Sequence, residues 1–593
     1  MIKFISVSLN YSIFVQNKKT LKQFIPILNW LPAYKKSYFK NDLIAGTTVA
    51  VLLIPQGMAY AMIAGLPPIY GLYAALVPQI IYAFLGTSRQ LAVGPVAMDS
   101  LLVALGLGAI SMVSPEAYIQ MAILLALMMG VIQFLMGLLR MGFIVAFLSK
   151  PVISGFTSAA AIIIGLSQLK HFVGIPIPQS NKLQVIIKSI INTDTSIHFP
   201  TLVIGITGVL ILLGIKKISK KIPASLVVVA LGITWVYISQ QWEKGIDVVG
   251  LIPEGLPFFQ LPVIDLETVK ILFPTAITIA LVAFMEAISV AKSIEEKEKK
   301  YTLSPNQELI ALGASNMVGA LFQSYPTTGG FSRTAVNHQA GAKTGLAALI
   351  TAALVAIVLS FFTHWFYYLP KAILAAIIMI AVINLIDFKY AKRLYFIAKD
   401  EFLVLIVTFL LTLFFGITEG ILLGILLSLL LLVYRSSKPH HAFLGRIGTT
   451  NYFKNSLRFP KEVVPRDDLI ILRFDGQLFF GNIQYFKQLI TDTIPKNPDK
   501  VKGFIINMRA INYIDSTATE QLTKIILTLK KQGIRVMLVG AIGPARDVIL
   551  KSEIIRVLRK RNLFITSGDA SDSFDGVCKK TTLQKKLTQQ NNS

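Results

Sequence analysis

Two stretches read together decide the fold: Pro55–Asp99, PQGMAYAMIAGLPPIYGLYAALVPQIIYAFLGTSRQLAVGPVAMD, and Tyr325–Arg333, YPTTGGFSR. Both set Gly, Pro and a few polar side chains inside long apolar sequence. Within a bilayer, broken backbone is tolerated only where it is buried in protein or lines a cavity. Two interrupted segments in matching places of two halves point to a transporter's substrate site.

The surrounding composition agrees. The 593 residues are 54% hydrophobic and only 15% charged, with mean hydropathy +0.65; soluble chains carry about 25% charged residues. The apolar excess ends near Tyr434, so a large membrane domain and a smaller soluble one are expected. A single Cys, Cys578, excludes a disulfide framework and a Cys-based zinc site. The net charge of +26 reads as positive-inside topology and attraction to anionic lipid. No nucleic-acid motif accompanies it. Met1–Phe39 lacks the apolar region and small-residue cleavage site of a signal peptide.

Residues 1–42 hold seven Lys and one acid, Asp42, which predicts a cytoplasmic segment; Pro26, Trp30 and Pro32 suggest that it packs. A span needs about 20 apolar residues, fewer for a half-helix. Spans are predicted near 43–64, 70–86, 94–108, 118–139, 145–167, 200–215 and 222–240. A second set follows near 271–291, 306–321, 331–340, 345–362, 371–386, 400–416 and 418–434. With a cytoplasmic N-terminus, this arrangement places sixteen Lys and Arg in inside loops and six in outside loops, as the positive-inside rule requires.

The halves echo each other. An apolar helix with Gln56 and Tyr60 precedes a break at Gly94-Pro95; an apolar helix with Glu286 precedes a break from Pro326 to Gly330. The separation is about forty residues in both. Seven segments per half is odd, so the halves would have opposite topologies.

From about Asp467 the code changes. Leu469–Phe474, Lys502–Met508 and Gly533–Val539 read as strands; Ile483–Thr493, Ala518–Lys530 and Asp547–Leu558 read as helices. This alternation predicts a small α/β domain. Asp515-Ser516-Thr517 stands where a helix cap belongs. The expected boundaries are a cytoplasmic segment 1–42, a membrane domain 43–435, a linker 436–466, an α/β domain 467–566 and a disordered tail 567–593.

These motifs resemble a known family. Asp42–Met98, Gly250–Pro262 (GLIPEGLPFFQLP), Ala283–Lys292 (AFMEAISVAK) and Tyr325–Asn337 (YPTTGGFSRTAVN) resemble motifs of the sulfate permease (SulP) anion transporters. The C-terminal part resembles a STAS domain. The resemblance implies an α-helical membrane protein of fourteen segments in a 7+7 inverted repeat, with a core domain, a gate domain and half-helices as third and tenth segments. It implies an inner (plasma) membrane protein whose N-terminus and STAS domain are cytoplasmic. It also implies a homodimer that moves an inorganic or small organic anion by elevator-like alternating access. The expected activity is sulfate transport by proton symport, with sodium-coupled bicarbonate or dicarboxylate transport, exchange or a channel as alternatives. Nothing suggests an enzyme, a cofactor or a metal: nucleotide loop, nucleophile elbow and metal cluster are all missing from the sequence.

The residues themselves suggest how an anion is held. It must trade its water shell for fixed donors, and a half-helix N-terminus offers free N–H groups with roughly half a positive charge. Gly94 permits close backbone approach, and Pro95 starts a helix well. Gly329 and Gly330 play the same part before Phe331, Ser332 and Arg333. A cation at mid-membrane is costly and so is functional or paired; the Arg333 guanidinium suits an oxyanion through its forked donors. Glu286 is expected to be kept neutral or paired, Arg333 being the candidate partner, and a titrating Glu286 would couple proton to anion. Gln56 and Tyr60, four apart, share a helix face. In the family the residues matching Gln56, Tyr60, Ser332 and Arg333 lie by the anion. Thr327 and Thr328 are candidate hydroxyl donors, while Val96 is apolar where some members carry a ring. Asp99 and Glu254 read as structural. In the STAS-like part, Ser516 matches a serine that is phosphorylated in antagonist relatives, although capping alone accounts for this stretch.

Overall fold

The structure is a computed structural model that describes residues 24–108, 114–143, 149–175, 183–192, 197–218, 223–298, 301–383, 386–464, 466–494 and 500–577. The rest of the predicted N-terminal segment, residues 1–23, and of the predicted tail, residues 578–593, lies outside the described residues. The chain divides into two compact units, Met1–Ser428 and Leu429–Ser593.

A helix stands at each of the fourteen positions predicted for spans. The first repeat holds α1 (Lys36–Ile63), α2 (Pro68–Ala74), α3 (Val77–Leu85), strand β1 (Val93–Gly94), α4 (Ala97–Gly108), α5 (Pro115–Leu138), α6 (Lys150–Ser167), α7 (Phe199–Ile218) and α8 (Ala224–Ser239). The second holds α9 (Leu266–Glu298), α10 (Pro305–Leu321), strand β2 (Thr328–Gly329), α11 (Phe331–Gln339), α12 (Leu346–Phe361), α13 (Lys371–Ile383), α14 (Phe388–Ile397), α15 (Lys399–Phe415) and α16 (Ile417–Ser437). Among the described residues seven apolar stretches are long enough to cross a membrane by themselves, among them the α2–α3 and α13–α14 pairs each taken together. The loops also carry elements the sequence reading passed over: α14, with Lys389, Lys392 and Arg393, and short helices at Leu169–Val173 and Leu183–Asn192.

Small residues set how closely these helices approach, as is common where no water drives them together. A Cβ on Gly71 of α2 would stand 2.0 Å from the Gly57 carbonyl of α1, and one on Gly313 of α10 would stand 2.4 Å from the Phe134 nitrogen of α5. Pro55 lies inside α1, where it removes one helical hydrogen bond. The stretch before α1 does pack: Ile27 and Trp30 are buried, and Trp30 lies beneath Gly345.

The second unit is an α/β domain. After β3 (His441–Arg446) and β4 (Phe453–Asn455) come β5 (Leu469–Phe474), α17 (Ile483–Thr493), β6 (Gly503–Asn507) and α18 (Ser516–Lys531). It continues with β7 (Arg535–Val539), α19 (Gly543–Lys551), α20 (Glu553–Leu558), β8 (Leu563–Phe564) and α21 (Ser567–Phe574). The sheet order is β4-β3-β5-β6-β7-β8. The β5, β6, β7 and β8 pairings are parallel and β3 runs antiparallel to both neighbours. Central β6 is buried along its whole length, as a strand covered on both faces should be.

Two boundaries need correction. The predicted linker 436–466 contains β3 and β4, which extend the sheet. They were missed because β3 (HAFLGR) has little β-branched content and its pairing partner β5 lies in sequence beyond the expected domain start. The predicted tail begins with a folded helix: α21 has a reciprocal cap between Thr566 and Asp569, buries Ala570 and Ser571, and sets Phe574 against Gly503. Its short, Ser- and Asp-rich sequence gives little apolar signal by itself. In addition, the single helix predicted at 547–558 is two, broken at Ser552.

Candidate functional site

The two sequence breaks meet. Val93 pairs with Gly329 and Gly94 with Thr328 in a two-residue antiparallel bridge. Each strand runs straight into a helix, so α4 and α11 leave the bridge in opposite directions with their N-termini toward it. The first helical hydrogen bond of α4 runs from Ser100 N–H to Val96, and that of α11 from Thr334 N–H to Gly330. The amides of Ala97, Met98 and Asp99, and of Phe331, Ser332 and Arg333, therefore point out of the two N-termini. The bridge needs room: Gly94 has φ +157° and a Cβ on Gly330 would stand 2.8 Å from Arg333.

Arg333 joins the two breaks. Only 2% exposed, it donates from Nη1 to the Pro95 carbonyl at 2.6 Å. Its Nε and Nη2 have no partner. These two form one edge of the guanidinium, the edge that grips a carboxylate or oxyanion in bidentate fashion. Glu286 lies on α9, near enough for its charge to act on Arg333, yet no carboxylate hydrogen-bonds the guanidinium. The pairing alternative raised for Glu286 is therefore not formed.

The other predicted residues divide. Tyr60 and Val96 are buried, Val96 being 8% exposed. Gln56 is part-buried with its Oε1 unpartnered. Phe331 and Ser332 are exposed. Gly329 packs against Leu91. Thr327 and Thr328 do not match the role of hydroxyl donors: Thr327 donates to Asn316 Oδ1 at 3.1 Å and Thr328 donates to the Ala283 carbonyl at 2.6 Å. Their protons are already spent on holding the second break against α10 and α9.

Sequence reasoning missed the residues that hold these breaks and the turns near them. Asn316 accepts from the Thr327 amide at 2.8 Å and donates to the Thr327 carbonyl at 3.0 Å. Thr334 Oγ1 accepts from Ala92 N–H at 3.1 Å, and Asn337 donates to the Gln90 carbonyl at 2.9 Å. Buried Glu308 accepts from Thr87 N–H, Ser88 N–H and the Tyr82 hydroxyl. A carboxylate inside an apolar helix was the available signal for Glu308. Asp42 similarly accepts from Lys343 and Thr344 amides at 2.6 and 3.1 Å. In the second unit, Asp515 caps α18 by accepting from Ala518 N–H at 2.7 Å, which leaves Ser516 exposed at the first helical position.

Comparison with known proteins agrees with this architecture. Residues 39–408 match the sulfate permease family and residues 460–570 match the STAS domain. Over 566 residues the chain is 40% identical to sulfate transporter 4.1, chloroplastic, of Arabidopsis thaliana, spanning 92% of this chain and 82% of that protein. It is 39% identical over 564 residues to the probable sulfate transporter 4.2 of the same plant, with the same coverage. The solved structure of SLC26A9 superposes with a TM-score of 0.86 at 25% identity, covering 95% of this chain and 94% of that one. The chain is a multi-pass membrane protein of the sulfate permease family that carries a C-terminal STAS domain.

Proposed function

We propose that this protein moves sulfate across a membrane by proton symport, with the anion held between the N-termini of α4 and α11. The observation that carries the reading is the open Nε–Nη2 edge of buried Arg333 beside six outward-facing amides. A divalent oxyanion needs several fixed donors to replace its water, and hydrogen bonds to charged groups contribute about 1.5–3 kcal/mol each. Two helix N-termini add favourable field without added acid or base. Plant relatives named as sulfate transporters support the choice of anion. Glu286, whose charge acts on Arg333, is the proton carrier: with its proton on, it no longer repels the anion.

The core holding α4 and α11 would shuttle against the gate in an elevator-like cycle, in a homodimer at the plasma (inner) membrane with the STAS domain cytoplasmic. Ser516, exposed at a helix start, is a position where phosphate would be well placed.

The test is uptake of labelled sulfate and bicarbonate into proteoliposomes under a pH or a sodium gradient, comparing wild type with Glu286→Gln. The expected result is pH-driven sulfate uptake that Glu286→Gln uncouples. Sodium-driven bicarbonate uptake indifferent to Glu286 would overturn the coupling and the substrate together. Sulfate current without any coupled ion would make the protein a channel.

A further inference from the structure

Asp99 is the third residue of α4, in the first turn, next to the anion-facing amides. It is fully buried, and neither carboxyl oxygen takes part in a hydrogen bond. The neighbouring Ser100 hydroxyl meets the Tyr325 hydroxyl at 3.0 Å and not the Asp99 carboxyl. Two titratable groups act directly on Asp99, Glu286 from α9 and Tyr325 from the second break; Tyr60 from α1 and Arg333 from α11 act on those two in turn. Helices α5 and α6 also pack against α4. Their ionisable side chains, Glu116, Tyr118 and Lys150, stand at their N-terminal ends, and Gln133 of α5 is engaged with the Ala280 carbonyl.

An ionised carboxylate buried with no donor is heavily penalised. Here it would do a second kind of harm. One negative charge outweighs the roughly half-positive charge that each helix N-terminus contributes, so an ionised Asp99 would cancel the field that attracts the anion. Anion entry therefore favours the protonated acid, by the same logic that applies to Glu286. The two carboxyls differ in burial in this conformation: Glu286 is part-buried and Asp99 is fully buried, so Asp99 exchanges its proton only when the site opens.

We propose that Asp99 is a second proton carrier, so that one divalent oxyanion crosses with two protons, one on Asp99 and one on Glu286, and the cycle moves no net charge. Both protons come from water on the loading side and return to water on the other side; no bond other than these O–H bonds forms or breaks. The proposal rests on the proton-coupled reading of Glu286.

The stoichiometry can be read at equilibrium. The full chain in proteoliposomes, with the membrane potential held at zero by potassium and valinomycin, is loaded with labelled sulfate to its plateau at several imposed pH gradients. Two protons predict about a 100-fold accumulation ratio per pH unit and one proton about tenfold, because each pH unit is worth ~1.36 kcal/mol per proton. Wild type is expected to follow the steeper line and to ignore an imposed potential. Asp99→Asn is expected to follow the shallower line and to become potential-sensitive, and Asp99→Glu to restore the slope. A tenfold slope in wild type, an unchanged slope in Asp99→Asn, or a plateau set by sodium would each overturn the proposal. If Asp99→Asn cannot be recovered folded, the wild-type slope and its response to potential decide the question alone. A tenfold wild-type slope that Glu286→Gln abolishes removes only Asp99 from the scheme; no pH-driven accumulation at all removes the proton-coupled reading as well.

Discussion

Arg333 meets three demands at once. It is buried at a membrane site, it ties the Pro95 carbonyl to the opposite half-helix, and it keeps one guanidinium edge open. Lysine retains the charge but not the planar fork. Arg333→Lys should therefore raise the sulfate KM by about tenfold or more, the loss of one charge-assisted hydrogen bond being ~1.5–3 kcal/mol, while Arg333→Ala should abolish uptake; labelled-sulfate uptake against concentration checks both. A different ionic contact operates in the STAS domain. Arg466 grips Asp468 at 2.9 and 2.7 Å and Asp575 at 2.8 Å, and this holds the Asp468 carboxyl below its usual range. A depressed carboxylate contributes stability above its unfolded pKa of about 3.9 and loses it as pH falls through the lower folded value. Asp468→Asn should lower the melting temperature slightly at pH 7, exposed pairs being worth ~0–1 kcal/mol, and the gap to wild type should close as the pH falls below about 4.

At the scale of elements, each break is held by neighbours more than by its own sequence. The β1–β2 bridge has two residue pairs, too few to stand unaided. Asn316 supplies what the ladder cannot, satisfying both the amide and the carbonyl of Thr327. Asn316→Ala strands those buried groups at about 1–3 kcal/mol, so it should lower thermal stability in detergent and weaken sulfate binding together. Close helix approach makes a second demand. Gly71→Ala would drive a methyl to within 2.0 Å of a backbone carbonyl that cannot step aside, and overpacking of this kind costs ~1–3 kcal/mol or more. The expected outcome is loss of monodisperse protein on size-exclusion chromatography, with Gly108→Ala, which meets nothing within 4 Å, as the tolerated control.

At the scale of the whole molecule, each unit closes its own core. In the C-terminal unit the fold is finished by pieces from both ends of the domain: β3 and β4 extend the sheet before it and helix α21 packs on it after it. A chain ending at Thr566 should melt this unit earlier, losing the Phe574 packing on Gly503 and the burial of Ala570; covering an aromatic side chain is worth ~1.5–3 kcal/mol. A chain ending at Val577 keeps α21 and should melt later than the one ending at Thr566. Thermal unfolding of the two truncations in detergent tells them apart.

Apolar length, loop charge and the Gly and Pro punctuation were sufficient to locate all fourteen helical positions, both breaks and the α/β character of the C-terminal part, because each follows from local transfer energy and backbone geometry. The motifs likewise pointed to Arg333, Glu286, Gln56 and Tyr60. Only the tertiary structure decided which polar groups are already satisfied. Thr327 and Thr328 looked like free donors and are spent; Asp99 looked like a helix-end residue and is a buried, unpartnered acid; Asn316 drew no notice and holds the second break, as Glu308 holds the turn after α3. The reason is physical. A side chain's type is written locally, but whether its hydrogen bonds are met depends on neighbours hundreds of residues away, as in the 238-residue separation between Arg333 and Pro95.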